Sequence, residues 1–463
     1  MSPRAALADS KARWALWLAL LAGYLMMLRL NLPGHLSVDS VLALHEGRFG
    51  VRTTWNPAIF GWLLGRADSV WRGAGLTVVV SGAVLFGAWA AMAALRRGVT
   101  WLAPIVALGV IALPQVVIYP GIVWKDVWFA EAGIAGFVAL AFALRSQRIA
   151  ARLPLLALAA LLLAVAGLLR QNGLLLAGAG SVAIAWAGWS RGAGRSLFGA
   201  AIWAGAVAVI SLLLSIYAQP QGVDRPDGAG SRGLRLLQGY DLVGAAAREP
   251  LPLTAIDKAS PASDDTIRAQ AKQAYSPERV DTLGSDKAIS TALADTPDAA
   301  LRSEWLDLIT QRPALYLQVR SEVFRQVLMT PVIDRCLPVH VGVAGPQNTL
   351  AELKMPLRAS REDTRLYNYV TWFLDTPAYA HLTYAVVALV VMGLLLIRRE
   401  PADLAIAALQ GGALAFAASF FVISIACDYR YLYFVDLAAI TGVIYLAIDP
   451  RLTPPPERRR ARR

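Results

Sequence analysis

Residues 153–190 read LPLLALAALLLAVAGLLRQNGLLLAGAGSVAIAWAGWS. Two apolar runs, 153–169 and 174–190, are joined only by Arg170-Gln171-Asn172-Gly173. A helix needs about 20 apolar residues to cross the hydrocarbon core, and a chain in lipid must satisfy its own backbone hydrogen bonds. Runs this continuous exclude barrel strands, which alternate apolar and polar residues. The stretch therefore predicts two membrane helices joined by a tight turn, and with them an α-helical bundle.

Working outward, the same criterion finds further spans near 14–30, 75–94, 101–118, 127–144, 197–217, 380–397, 403–424 and 431–448. The expected fold is an all-α integral membrane protein with about ten transmembrane helices. Composition agrees: of 463 residues 57% are hydrophobic and 16% charged, against about 25% charged in soluble domains. The net charge of +12 sits in short loops and the C-terminal tail. That pattern orients spans and does not point to nucleic acid. The basic loops hold Arg96-Arg97, then Arg145, Arg148 and Arg152, then Arg191 and Arg195, then Arg398-Arg399, and the tail holds Arg458-Arg459-Arg460-Ala461-Arg462-Arg463. All fall on one side, so both termini are expected in the cytoplasm of a bacterium, and the chain in its inner membrane. The first run follows Arg4, Lys11 and Arg13 without a small-residue cleavage site, so it is expected to be retained.

Three parts follow: a transmembrane bundle over 1–217 with a first outer loop at 31–73, an extracytoplasmic insert over 218–378, and C-terminal spans with a basic tail over 379–463. In the first loop, Trp55-Asn56-Pro57 opens a short apolar stretch with Gly61 and Gly65 four apart. It reads as an interfacial helix whose glycines allow close packing. The insert reads as mostly helical. Ser276-Pro277-Glu278 and Thr296-Pro297-Asp298 are helix-start signals, Trp305, Leu308 and Ile309 recur at helical spacing, and Pro313 starts a helix carrying Val319, Val323 and Val327. The Gly- and Pro-rich stretch 218–232 reads as a mobile loop. Cys336 and Cys427 both fall on the outer side; spacing alone leaves their pairing open.

Polar residues cluster in the outer loops. Asp39, in Leu36-Ser37-Val38-Asp39-Ser40, can accept a proton, hold a metal or cap a helix that runs towards Glu46. Lys125 beside Trp124 and Trp128 suits a snorkelling lysine in an aromatic belt, but Asp126 gains nothing from such a belt. Arg170 defies the charge bias of its side, and Arg430 between Tyr429 and Tyr431 repeats the pattern. A guanidinium grips a phosphate with two parallel hydrogen bonds. Arg48, Arg52 and Asn56 could help to bind an anionic headgroup, and a solvated basic loop explains them as well. His35, Asp39 and His45 have no diagnostic metal spacing, and exposed or capping histidines are the simpler reading.

Together these features resemble the GT-C superfamily of membrane glycosyltransferases, in particular the bacterial branch similar to protein O-mannosyltransferases and lipid A aminoarabinose transferases. The resemblance covers the whole architecture but rests on short motifs. It implies that Asp39 is the first-loop carboxylate and Asp126 the second, and that Arg170, Asn172, Arg430 and Tyr431 contact the donor phosphate, with Lys125. It implies a polyprenyl-phosphate-linked sugar as donor and a lipid, glycan or protein hydroxyl as acceptor. The chain departs from the family in having Ser40 after Asp39 and Asn56 before Pro57. Those departures leave a divalent cation and a first-loop phosphate ligand open. The alternatives are a transporter or flippase of a lipid-linked solute, and a polysaccharide polymerase or ligase.

Overall fold

The computed structural model describes residues 3–54, 56–220, 229–330 and 333–452. Trp55, most of the 218–232 stretch and the basic tail beyond Leu452 lie outside the described residues. The chain is a helical, multi-pass membrane protein. Helix α1 (Pro3–Asn31) is followed by a hairpin of α2 (Val38–Phe49) and α3 (Ala58–Val70). Then come α4 (Gly75–Met92), α5 (Leu102–Ile111), the short α6 (Pro114–Val117), α7 (Lys125–Arg145), α8 (Ile149–Leu169), α9 (Leu175–Gly188) and α10 (Ala193–Tyr217). The insert carries ten helices, from α11 (Ala229–Ala246) to α20 (Arg361–Thr371), among them α16 (Asp298–Gln311) and α17 (Pro313–Met329). Helices α21 (His381–Arg398), α22 (Pro401–Ile423) and α23 (Tyr433–Ile448) return to the bundle.

Among the described residues eight helices are long and apolar enough to cross a membrane, and nine if the bent pair α5–α6 counts as one. The count expected from sequence was about ten, and two segments account for the difference. The run at 174–190 becomes α9, only 14 residues long, about 21 Å at 1.5 Å per residue. Tighter 3₁₀ turns extend it at both ends, over Gln171–Leu174 and Trp189–Arg191. The run at 101–118 is not straight: the chain bends by 81° between α5 and α6. Pro114 causes the break, since it has no N–H to donate and its ring clashes with the preceding turn.

The hairpin of α2 and α3 depends on glycine. A Cβ on Gly47 would stand 1.9 Å from the carbonyl oxygen of Gly61, and one on Gly65 would stand 2.2 Å from that of Gly47. The two backbones therefore touch, which is the close packing the Gly61/Gly65 spacing predicts.

The insert has its own apolar core, including Leu253, Ile256, Ile267, Ile289, Val319 and Val323. Helix α16 starts at Asp298, one residue past Pro297, and α17 starts at Pro313 with Val319, Val323 and Val327 buried, as the sequence signals predict. Ser276-Pro277-Glu278 is a correction: no helix begins there. The segment instead lies along the last outer loop, where the amide of Cys427 bonds to the carbonyl of Glu278 and that of Val280 to the carbonyl of Ile425 (both 2.9 Å). Tertiary pairing has overridden a local start signal.

Candidate functional site

Extended pairings set where the outer carboxylates lie. His35 and Leu36 sit between two other chain segments. The amide of His35 bonds to Gly121 and that of Val123 bonds back to His35; Leu36 exchanges the same pair with Gly342 and Ala344 (all 2.9 Å). Ser40 Oγ donates to the carbonyl of Val123 (2.6 Å), and Trp124 Nε1 donates to Ser37 Oγ (2.9 Å). The first turns of α2 and α7 are thereby fastened side by side. Asp39 and Asp126 occupy those two turns, where the helix dipole favours a negative charge. Ser37, not Asp39, is the N-cap residue of α2. Asp39 is free of capping and its side chain is 46% exposed.

The arginines complete the cluster. Arg430 meets Asp39 at 2.8 Å, Asp428 at 3.3 Å and Asp126 at 3.9 Å. Arg170 meets Asp126 at 2.5 Å. Neither oxygen of Asp126, whose side chain is 2% exposed, receives an aligned hydrogen bond from these partners. Its two contacts are ion pairs by distance only. Aromatic rings hold both guanidinium planes: Arg170 lies 5.0 Å from the Tyr431 ring and 5.3 Å from Phe420, and Arg430 lies 5.2 Å from Trp124. Such stacking orients a cation without using its N–H groups.

The remaining candidates are arranged behind this pair. Lys125 Nζ donates to Asn56 Oδ1, and Asn56 Nδ2 donates to the carbonyl of Asp39 (both 3.2 Å). Arg52 donates to the Asn56 carbonyl (2.8 Å) and pairs with Glu46 (3.0 Å). Glu46 also accepts the amides of Thr53 and Thr54 (2.6 Å each). Arg52 and Asn56 thus brace the loop under Asp39. Asn172 gives its amide to Ser419 Oγ (2.8 Å) and ties the 170–173 turn to α22. His35 and His45 do not join Asp39 and Asp126. Burial lowers His35 to about 3, with Arg358 adding to the effect. Its Nδ1 accepts from the amide of Gly342 and from Arg358 (3.0 Å each), and Nε2 faces Asn31 Oδ1 (3.1 Å). His45 pairs with Glu352 (2.6 Å). Among the described residues no three His, Cys, Asp or Glu side chains are grouped to hold a metal ion.

A cleft of about 610 Å³ opens beside Asp39 and Arg430, with Trp124, Arg279, His340 and Tyr431 in its wall. The insert supplies one side of it. Arg279 pairs with Asp428, and Cys336 is bridged to Cys427. Arg320 of α17, fully buried, pairs with Asp241 at 3.0 Å. It also donates to the carbonyls of Val422 and Ser424 (2.7 and 2.9 Å), so it satisfies the open end of α22. The loop that carries Arg430 is held by the insert at each of these points. Sequence reasoning missed Asp428 and Arg279. Asp428 carried the same signal as Asp126, an acid in a short outer loop. Arg279 carried none, because its partner lies 149 residues away.

No protein-family model and no curated protein matches the chain. Among solved structures it is similar to the archaeal oligosaccharyltransferase AglB from Archaeoglobus fulgidus, in complex with an inhibitory peptide and a dolichol-phosphate: 14% identity over 94% of this chain and 50% of that one, TM-score 0.41. It is also similar to ArnT from Cupriavidus metallidurans in the apo state: 14% identity over 93% of this chain and 77% of that one, TM-score 0.36. The chain spans about half the length of the oligosaccharyltransferase. At this level the likeness carries no argument about chemistry.

Proposed function

We propose that the chain is a membrane glycosyltransferase that moves a sugar from a polyprenyl-phosphate donor to an acceptor hydroxyl on the extracytoplasmic side of a bacterial inner membrane, with both termini in the cytoplasm. One observation carries the reading: Asp39 and Arg430 line one cleft, and Arg430 connects them at ion-pair distances to Asp126 and, through it, to Arg170, four residues from four separate loops. Four cations, Lys125, Arg170, Arg279 and Arg430, accompany four carboxylates, Asp39, Asp126, Asp281 and Asp428, so the cluster supplies both a base and the guanidinium groups that a phosphate needs.

In this mechanism the acceptor oxygen attacks the anomeric carbon from the face opposite the phosphate. Asp39 takes the hydroxyl proton as the new C–O bond forms. The sugar–phosphate C–O bond breaks, and the departing oxygen keeps the electron pair. Arg170, Arg430 and Lys125 stabilise that charge, and Asp126 holds the two arginines in place while Tyr431 supports their planes. The anomeric configuration inverts, by the same opposite-face logic as inverting glycoside hydrolysis. A phosphate leaving group needs no protonating acid, so one carboxylate and several cations suffice.

Asp39→Ala should reduce turnover by about 10²–10⁴-fold, the usual worth of a general base, without lowering the melting temperature. The assay is release of polyprenyl phosphate from a panel of polyprenyl-phosphate sugars in proteoliposomes, with envelope extract as acceptor. Unchanged transfer by the variant would remove Asp39 from the mechanism. The 81° break at Pro114 favours a second reading, a carrier of lipid-linked solute. A carrier would move donor lipid across the bilayer without releasing polyprenyl phosphate, and Asp39→Ala would leave that movement intact.

A further inference from the structure

A second cavity, of about 500 Å³, lies between residues 33–36, the end of α2, the junction of α3 with α4, and residues 352–358. That volume is in the range of ordinary ligand sites. Arg48 takes no part in the cluster around Asp39. It stands in this wall with Arg72, Lys354 and Arg358, and Glu352 is the one acid there among the described residues. Glu352 is taken by His45 (2.6 Å). Arg48 is spent on the protein: Nε and Nη2 go to Asp68 (2.8 and 2.6 Å) and Nη1 to the carbonyl of Leu353 (2.6 Å). The other three cations keep donors. Arg358 gives Nε and Nη2 to Asp363 (3.2 and 3.4 Å), but its Nη1 has no acceptor and keeps accessible surface. Arg72, 74% exposed, gives only Nη1 to Asp68 (2.8 Å). Lys354 is exposed and has no partner among the described residues. It ends α19 (Gln347–Leu353) with a φ of 53°, a left-handed position that glycine would fill more cheaply.

The cavity lies at the level where a membrane span ends. Arg72, Gly73 and Ala74 in its wall lead directly into α4. Val70 and Trp71, just before them, are large apolar side chains left exposed. The Trp71 ring lies on the first turn of α4, 3.3 Å from where a Cβ on Gly75 would stand. Apolar side chains open to the surface at a span end, with cations directly beyond them, follow the order of a lipid from chain to headgroup. We propose that this cavity binds the phosphate of an anionic phospholipid from the leaflet at this end of the bundle, with Arg72, Lys354 and Arg358 on the headgroup and an acyl chain over Val70 and Trp71. Guanidinium groups with free N–H donors and an unpaired ammonium suit a phosphate anion.

The headgroup would rest on the ladder that places Asp39. Arg358 Nη2 lies 3.0 Å from His35 Nδ1, and the Arg358 backbone exchanges hydrogen bonds with Val343 (2.9 and 3.1 Å). Val343 bridges in turn to Leu36, three residues before Asp39. The site itself stands whether or not the chain transfers a sugar.

The test uses the full chain, purified and delipidated in detergent, then titrated with dioleoyl phosphatidylglycerol or dioleoyl phosphatidylcholine and read by native mass spectrometry. Phosphatidylglycerol should be retained about tenfold more tightly than phosphatidylcholine, whose own cation meets the cations of the wall. Arg72→Gln/Lys354→Gly should weaken phosphatidylglycerol about thirtyfold, the usual worth of two basic residues at a membrane surface. Both side chains are exposed and glycine suits the φ at 354, so the delipidated variant should melt no lower than the parent. Arg170→Gln, in the other cluster, should leave that retention unchanged. Equal retention of the two lipids, or of phosphatidylglycerol by the double variant and the parent, would overturn the proposal. Displacement of bound phosphatidylglycerol by an equal concentration of glycerol phosphate would overturn it as well, because the site would then serve a free phosphate and not a lipid.

Discussion

Asp126, at the end of the bundle that carries the insert and expected to be the outer one, and Asp403, at the opposite end, are both buried, and each lies between two arginines. The resemblance ends there. Asp403 accepts two parallel hydrogen bonds from Arg398 (2.7 and 2.8 Å), one from Tyr445 (2.9 Å) and one from the amide of Glu400 (3.0 Å), and it also bonds to Arg96. Asp126 has its arginines at ion-pair distance and no aligned hydrogen bond. Its neighbour Asp39 is half exposed to a cleft, whereas the Asp403 side chain is wholly enclosed. The inner group is satisfied by the protein and holds helices together. The outer group keeps its arginines at ion-pair distance without the aligned hydrogen bonds that Asp403 has. Burial and charge are alike at the two carboxylates, and the count of hydrogen bonds is what differs.

The largest effect that could break this comparison is on stability. Asp403→Asn leaves Arg96 and Arg398 buried without their shared anion, and should cost about 3–5 kcal/mol. Asp126→Asn forfeits no aligned hydrogen bond; Arg430 keeps Asp39 and Asp428, and Arg170, which loses its ion pair with Asp126, keeps its stacking on Tyr431 and Phe420. It should cost about 1 kcal/mol, near the typical value for a point substitution. Turnover should rank the other way, with Asp126→Asn the slower enzyme per folded molecule. Denaturant unfolding in detergent, followed by intrinsic fluorescence, measures the first ranking, and polyprenyl phosphate release measures the second. Equal destabilisation by the two variants would mean that Asp126 is as structural as Asp403.

Lysine in place of arginine sharpens the contrast at a smaller scale. Arg170 is stacked over Tyr431 and Phe420, and its plane cannot be reproduced by an ammonium. Arg170→Lys should raise the KM for donor about tenfold, equal to about 1.4 kcal/mol, with little change in melting temperature. Arg398→Lys loses one of its two parallel bonds to Asp403 and should lower stability by about 1–2 kcal/mol while sparing KM. A KM effect from the inner variant would show that the two faces are coupled.

Much of this architecture was readable from residue order. The turn at Arg170-Gln171-Asn172-Gly173, the glycine-packed interfacial hairpin and the starts of α16 and α17 follow from local physics: apolar run length, missing Cβ atoms, and proline at a helix start. Asp126 stood out because no membrane-anchoring role explains an acid there. What local physics did not reach was pairing at long range. Arg279 meets Asp428 across 149 residues, and Ser276-Pro277-Glu278 lies along a loop instead of starting a helix. The inner arginines mislead in the opposite sense. Arg96 and Arg398 look like simple orientation signals, yet both are buried and bound to acids that begin α22. The link between Cys336 and Cys427 also emerges only once the insert is folded over the last loop.

The last expected effect is on pH dependence, and it too should separate the two ends of the bundle. His35 holds the ladder that brings Asp39 to Asp126, and burial with Arg358 lowers it to about 3 from an ordinary 6.5. Asp363 opposes that shift, and His340 is lowered in the same direction by burial. Unfolding frees these imidazoles to bind protons at their ordinary value. Below about pH 6.5 the unfolded chain therefore binds more protons than the native one, and stability falls as pH falls. The contribution is fully present above pH 6.5 and is lost progressively towards about 3, at up to about 1.4 kcal/mol per pH unit for one fully perturbed histidine. The melting temperature should thus drop between pH 7 and pH 5. His35→Asn, which keeps an acceptor near the Gly342 amide, should flatten that slope at the cost of some stability at pH 7. A slope unchanged by His35→Asn would place the acid sensitivity elsewhere, since the inner cluster of Arg96, Arg398 and Asp403 contains no group with an ordinary pKa in that window.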